Sequence, residues 1–518
     1  RPGPPTAVHT DLPGMHDQTL TRTLLPPAER EAPSTRLRAL FRDGRIDELA
    51  MAAFEAGHDH QVGPHPLAEI LPDAVAAHRR EDLLHIVNLL LADAPEELRL
   101  LELRATLLEQ MGRLDEAEIA VRRCLVGRPK HRPALTLLVS ILTQAGRFDE
   151  AIAILEREHA ERPDDPTVCT NLAVLFTAQD RFEEALVLYR RAIMKAPAQA
   201  QIRLNYSITL LKAGQFAQGW TEHEWRLKLP GHSQLPHETL LPNITPSLDL
   251  KDRRVLVTQE EGLGDTLMYL RFLPFLAERG ARITVWGSET LARLTQRVDG
   301  VEIVQVGGER PAFDYHCPFI SLPRAFMATR TPFGATVPYL SADPEKSARW
   351  RDRLKDDRKL RVGLVWGGAP RPDNPEAYML DQRRSVPLSR LAMLRALDDV
   401  TLYSLQKGPA SEQLADDPQH IVDFTSELHD MDDTAALIDN LDIVVSVDTS
   451  VVHLAGGMGK RVLMMDRVNA CWRWMHDRTD SPWYPNLTIV RQSRPWDWSG
   501  VVERVARMLE EAARSRVQ

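Results

Sequence analysis

Cysteine is scarce: Cys124, Cys169, Cys317 and Cys471 are the four in a chain of 518 residues, and no two form a CxxC pair. That spacing argues against a zinc site or a disulfide framework, and a reducing cytoplasm is the expected compartment. Long Lys/Arg clusters are missing as well. With 64 basic against 73 acidic residues and a net charge of -9, nucleic acid is not an expected partner. No apolar run approaches the roughly 18 residues of a membrane span, and the N-terminus lacks the basic-then-apolar order of a signal peptide. The 17 histidines include no HExxH pair, and neither a GxSxG elbow nor a G-x-x-x-x-G-K-[ST] loop occurs. Metal, serine-nucleophile and P-loop chemistries have nothing to stand on, so no metal and no cofactor is expected.

What is present is organisation. Residues 1–30 are rich in Pro and Thr without an apolar period and read as a disordered tail. A repeat follows: Gly112-Arg-Leu-Asp-Glu-Ala117 recurs as Gly146-Arg-Phe-Asp-Glu-Ala151, as Asp180-Arg-Phe-Glu-Glu-Ala185 and, weakened, as Gly214-Gln-Phe-Ala-Gln-Gly219, each step being 34 residues. The register extends back to His78–Leu83 and Gly44–Leu49 as two degenerate copies. Prolines recur in phase at 95, 129, 163 and 197. Val168, Leu172, Leu175 and Phe176 make one helical stripe, and Ala185, Leu188, Tyr189, Ala192 and Ile193 another. Each helix pair has an apolar face it cannot cover alone, so neighbours must stack. The pattern resembles the tetratricopeptide repeat, placed over 31–229. Four prolines between 230 and 250 then forbid a long helix, and that stretch reads as a linker.

From Arg254 onward, strands alternate with helices. Strands are expected at Val255–Thr258, Ile283–Trp286, Val301–Val306, Arg361–Trp366, Thr401–Leu405, Ile443–Val447 and Arg461–Met465. Helices are expected at 264–279, 289–298, near 388–397, and at 431–440, 449–458 and 499–513. Such alternation means parallel sheets wound by helices. Two such halves, 251–345 and 346–496, precede a C-terminal helix over 497–518. A cleft between two such halves is a usual place for a small-molecule site.

Three turns carry the chemistry. The first strand runs into Glu261-Gly262-Leu263-Gly264-Asp265-Thr266, which lacks the third glycine of a dinucleotide fingerprint. Asp265 in the first helical turn would repel a phosphate. The turn either aims a catalytic acid or complements the helix dipole. Asp448-Thr449-Ser450-Val451-Val452-His453 starts another helix, with Asp448 as the expected N-cap and first-turn amides suited to a phosphate. His453 either faces that site or packs on the sheet. The strand ending at Trp366-Gly367-Gly368 leads into an irregular charged loop, 369–382, and then to Arg383-Arg384-Ser385. Gln406-Lys407 ends the following strand and puts a cation at the same edge. Asp430-Met431-Asp432 has the form of a DxD metal triplet but reads as a helix cap.

Taken together, GWTEHEWR at 219–226, EEGLGDTLMYLRFLP at 260–274, VGLVWGG at 362–368, RRSVPL at 383–388, DTSVVHLAGGMGK at 448–460 and WRWMHDRTDSPWYP at 472–485 resemble a bacterial group. In that group tetratricopeptide repeats are fused to a GT-B glycosyltransferase related to the heptosyltransferases. The resemblance implies a fold of α plus α/β, a helical solenoid followed by two Rossmann-like doubly wound domains, the first on the acceptor side and the second on the donor side. It implies Asp265 as general base, with Gly262, Gly264 and Thr266 in the acceptor-side loop. The donor would be held by Gly367, Arg384, Gln406, Lys407, Asp448, Thr449, Ser450 and His453, Ser450 replacing the family's glycine. The implied activity is metal-independent, inverting transfer from a nucleotide-sugar to a polypeptide recruited by the repeats. Some relatives of this layout modify flagellin, and the repeats also allow a homo-oligomer. A lipid or glycan acceptor, or a scaffold with an inactive GT-B module, stand as the alternatives.

Overall fold

The computed structural model describes residues 33–59, 64–232, 235–329, 332–371, 374–416 and 420–517. The segment 1–30, read as a tail, lies outside them. The chain clusters into two compact units, one holding residues 19–198 with 370–382, the other holding 199–369 with 383–518. The division falls earlier than the end of the repeat pattern at 229, because the sixth helix pair shares its buried core with the sheets: Leu204, Ile208, Leu211 and Trp220 belong to one cluster with Val257, Leu267 and Tyr269.

The repeat unit is built of helix pairs: α1 Pro33–Arg42 with α2 Ile46–Asp59, α3 Leu71–Ala76 with α4 Arg80–Asp93, α5 Leu98–Gln110 with α6 Leu114–Gly127, α7 Arg132–Gln144 with α8 Phe148–Glu161, and α9 Pro166–Ala178 with α10 Phe182–Lys195. The sixth pair, α11 Ala200–Lys212 with α12 Phe216–His223, belongs to the other unit. The motif that repeats in sequence is the turn inside each pair. Gly44, His78, Gly112, Gly146, Asp180 and Gly214 all take the left-handed conformation, with φ between 54 and 78°. The next amide reaches back to the preceding helix, as in Arg113 N to Leu108 O at 2.9 Å and Arg181 N to Phe176 O at 2.8 Å. This is a Schellman cap, for which glycine has the least steric cost. The following Arg then pairs with the acid three residues on in the first five copies, Arg45–Glu48, Arg79–Asp82, Arg113–Glu116, Arg147–Glu150 and Arg181–Glu184. Both degenerate copies therefore keep the turn and its ion pair. The second has lost helix length instead, α3 being six residues long behind a 3-10 turn at Pro66–Ile70.

The other unit carries two parallel sheets. The first has the order β3-β2-β1-β4, from β1 Arg254–Thr258, β2 Arg282–Trp286, β3 Val301–Gln305 and β4 Tyr315–Pro318. The second has the order β10-β9-β8-β5-β6-β7, from β5 Leu360–Val365, β6 Val400–Ser404, β7 Ile421–Asp423, β8 Ile443–Val447, β9 Arg461–Asp466 and β10 Leu487–Arg491. All five residues of β8 are buried, as expected of a parallel strand covered on both faces. The helices of this unit are α13 Leu263–Tyr269, α14 Leu273–Glu278, α15 Glu289–Gln296, α16 Leu322–Phe326, α17 Pro344–Arg353, α19 Ala392–Arg395, α20 Met431–Asp439, α21 Ser450–Gly457 and α22 Ser499–Val517, while α18 Pro375–Arg384 clusters through residue 382 with the repeat unit.

Several expectations need correction. The helix expected over 264–279 is two helices joined by a 3-10 turn at Leu270–Phe272, since Pro274 has no amide to continue the first. The loop expected over 369–382 contains α18, whose start is capped by Asn374 Oδ1 accepting the Ala377 amide at 2.9 Å. The helix near 388–397 is a 3-10 turn, Leu388–Leu391, followed by the four-residue α19. The linker 230–250 is docked: Leu241 N donates to His316 O and Ile244 N to Ala325 O, each at 2.8 Å, and Leu241, Ile244 and Leu250 are buried.

In each sheet the chain leaves a central strand in one direction and returns on its other side. This reversal lies between β1 and β4 in the first sheet and between β5 and β8 in the second. Ligands of open α/β sheets bind outside the carboxyl ends of the strands at such points. The turns after β1, β5 and β8 are those singled out in the sequence.

Candidate functional site

The turn after β1 opens α13 with Gly262 at its N-cap. The Gly262 amide donates to Asp265 Oδ2 at 3.1 Å, so the carboxylate complements the helix start. Its Oδ1 is paired with the Arg473 guanidinium, and the two side chains are only 7% and 3% exposed. Asp265 thus does not stand open to solvent. Burial alone would lower the pKa of Arg473, but the neighbouring Asp265 charge outweighs it and holds the guanidinium well above its ordinary value. Arg473 also donates to Cys471 Sγ at 3.0 Å and lies over the Trp472 ring, 4.6 Å from its centroid. The amide of Thr266, another buried residue, donates to Gly262 O at 3.3 Å.

Just before this turn, Glu260 anchors the segment after α12. Arg226, fully buried, donates to Glu260 Oε1 at 2.5 Å, to Glu224 Oε1 at 2.9 Å and to Ser321 Oγ at 2.8 Å. Burial would raise the Glu260 pKa; the Arg226 charge overrides it and holds the carboxylate below its usual range. The next residue, Glu261, adopts φ 57°, a left-handed conformation costly for a residue other than glycine.

The turn after β8 meets this one directly. A Cβ on Gly264 would fall 2.8 Å from His453 Cδ2 and 3.4 Å from Ser450 Cα, so only glycine lets α13 and α21 approach so closely. The N-cap of α21 is Thr449 rather than Asp448. Thr449 Oγ1 lies 3.0 Å from Ser446 Oγ, which draws it into the strand end, and Ser450 becomes the first helical residue. The Asp448 carbonyl accepts from Arg384 Nη1 at 3.2 Å. His453 is buried, its Nδ1 lies 2.9 Å from Tyr484 Oη, and its ring stacks on Trp474 at 5.4 Å.

The remaining sequence candidates gather at the same strand ends with structural partners. Gln406 Oε1 accepts the Trp366 and Gly367 amides at 2.9 and 2.8 Å, and its Nε2 donates to Gly367 O at 2.9 Å. Lys407 does not project from the edge: its ammonium donates to Thr425 O at 2.7 Å and Leu428 O at 2.6 Å. Asp430 caps α20 through the Asp433 amide at 2.8 Å. The acids around it are ion-paired, Asp430 with Arg293, Asp432 with Arg297 and Lys346, and Asp433 with Lys346.

Arg473 is the residue that reading the sequence missed. It sits in WRWMHDRTDSPWYP, a motif noted for its length without a role for any member. An arginine between two tryptophans in a run otherwise destined for the core was the available signal, because a buried guanidinium needs an anion.

Residues 142–188 match the tetratricopeptide repeat family. The helix pairs on either side of this match repeat its turn, with a left-handed residue at the same 34-residue interval. The chain is also similar to the protein FlbA of Caulobacter vibrioides, 24% identical over 354 residues. That match takes in 61% of this chain and 56% of FlbA, so it spans little more than half of the relative. Among solved structures, MamA from Desulfovibrio magneticus is 16% identical, covering 31% of this chain and 90% of its own, with a TM-score of 0.27. A tetratricopeptide repeat protein from Parabacteroides merdae is 14% identical, covering 38% and 78%, with a TM-score of 0.31. No described helix is long and apolar enough to cross a membrane.

Proposed function

We propose that the chain is a GT-B glycosyltransferase that moves a sugar from a nucleotide-sugar to a polypeptide acceptor engaged by the repeats, with inversion and without a metal. The observation that carries this reading is the apposition of two unlike turns, each at the reversal point of a parallel sheet, with Gly264 against Ser450 and His453. One turn holds a carboxylate. The other offers the first-turn amides of α21, with Arg384 held beside it by the Asp448 carbonyl.

In the reaction, Asp265 takes the proton of the acceptor hydroxyl as its oxygen attacks the anomeric carbon, a contribution of about 10²–10⁴-fold. The anomeric carbon–oxygen bond to the donor phosphate breaks, and the departing negative charge is met by the α21 amides and Arg384. The acceptor reaches Asp265 only if the α13–α21 seam loosens.

A second reading is a repeat scaffold whose α/β portion does no chemistry. It is favoured by the burial and ion pairing of Asp265 and by the commitment of Lys407 to two carbonyls. Thermal shifts with a panel of nucleoside diphosphates and cytidine monophosphate separate the two. Stabilisation by one nucleotide, lost in Arg384→Ala, supports the enzyme; no stabilisation by any of them at millimolar concentration supports the scaffold.

A further inference from the structure

Three observations meet at the segment after β9. Arg473 carries its guanidinium to Asp265, and the pair is buried. The backbone around it is strained: Met475 has φ 53° and ψ -153°, a region open essentially to glycine alone, and Asp477 has φ 47°. Polar atoms nearby lack hydrogen-bond partners among the described residues, namely the hydroxyls of Thr266 and Tyr269 on α13 and the indole nitrogens of Trp472 and Trp474. Buried groups of this kind are uncommon in finished cores and call for an explanation in strain, chemistry or hydration. Trp220 of α12 backs the arrangement, its ring 5.3 Å from Trp472 and 5.9 Å from Tyr269.

We propose that Arg473 is a positioning residue of this site, holding the buried Asp265 as a carboxylate anion. The inference rests on the glycosyltransferase reading. A carboxyl group buried alone takes up a proton and can no longer accept one. A guanidinium in contact reverses that preference and also fixes the ring of acceptors: Oδ1 is given to Arg473 and Oδ2 to the Gly262 amide. The proton removed from the acceptor hydroxyl comes to rest on Asp265, and Arg473 keeps its own throughout, since guanidinium does not titrate in the working range.

The charged and titratable groups facing Asp265 come from every element packed on it. Tyr269 shares its helix, and burial there holds the phenol well above its ordinary pKa. Glu260 and Glu261 lie in the turn after β1, and Arg226 follows α12. Cys471 lies beside Arg473, and His453 on α21 is committed to Tyr484 and Trp474. The Arg226 charge is spent on Glu260 and Glu224, and Arg473 is the cation in direct contact with Asp265.

The test is the pH profile of sugar transfer to polypeptide for wild type, Arg473→Lys and Arg473→Gln. In Arg473→Gln the acidic limb of kcat moves up by about one pH unit or more, activity returning at alkaline pH, while KM for the donor changes less than about threefold. Arg473→Lys restores most of the limb's position. An unmoved limb in Arg473→Gln, or equal loss at all pH values in both variants, overturns the proposal. A wild type that transfers no sugar to any acceptor fails the functional reading itself, before the variants are compared. Since Arg473→Gln leaves a buried charge and can misfold, infrared difference spectra of wild type against Asp265→Asn read the same property in the intact pair. A carboxylate band at neutral pH supports the proposal, and a protonated carboxyl band overturns it.

Discussion

The Arg473 guanidinium closes on the Asp265 carboxylate across 208 residues of sequence, both side chains out of solvent. Removing one partner of such a pair strands the other's charge. Asp265→Ala and Arg473→Met are each expected to cost about 3–5 kcal/mol in denaturant unfolding. The double variant should cost clearly less than the sum, because neither charge is left behind. Simple additivity would mean that the pair does not hold together in solution.

Gly264 sits where its missing side chain lets α13 and α21 touch. In Gly264→Ala the new methyl would stand 2.8 Å from the His453 ring, which is itself pinned by Trp474 and Tyr484. The ring cannot swing away, so a loss of about 1–3 kcal/mol is expected. A crystal structure of that variant should show α21 displaced; an unchanged thermal midpoint would argue that the seam is loosely packed.

In the repeat unit, His65 N-caps a 3-10 turn through Nδ1, which accepts the Leu67 amide at 3.2 Å. Burial, aided by Arg99, pushes its pKa from 6.5 down to about 4. The folded value lies below the unfolded one, so the unfolded chain binds the extra proton between them. The stability His65 contributes is therefore complete above pH 6.5 and is lost as pH falls toward about 4. Unfolding followed over that window should show a weaker pH dependence in His65→Asn, by up to one proton. A slope identical to wild type would place the dependence on other groups.

Asp180 occupies the left-handed turn position that four of the six copies give to glycine. Relief of its steric cost makes Asp180→Gly more stable by about 1 kcal/mol, and Gly146→Ala should lose a similar amount. Thermal melts of the two variants should move in opposite directions. Shifts of the same sign would contradict the shared cap.

The repeats were legible because one turn chemistry recurs at a fixed interval and the cost of φ > 0 selects Gly, Asp or His there. All seven strands expected in the α/β portion begin and end within one residue of the observed limits, Arg461–Asp466 among them. The strands missed had weak local signals. Tyr315–Pro318 is four residues ending in proline and Ile421–Asp423 is three, and both owe their pairing to neighbours far away in sequence. Leu487–Arg491 does look like a strand, but it follows a tryptophan-rich motif that drew attention away from it. At the site, the turns were readable from glycine placement and helix-start chemistry, whereas partners were not. That Asp265 would find Arg473, that Lys407 would turn to carbonyls, and that Thr449 rather than Asp448 would cap α21 are outcomes of tertiary packing, which local sequence does not encode.

The most direct measurement is transfer of a labelled sugar from nucleotide-sugar donors to protein in a lysate of the source cells, comparing wild type with Asp265→Asn. The account predicts a labelled polypeptide with wild type and a loss of about 10²-fold or more with the variant, while nucleotide binding persists. Equal labelling by both proteins would contradict it.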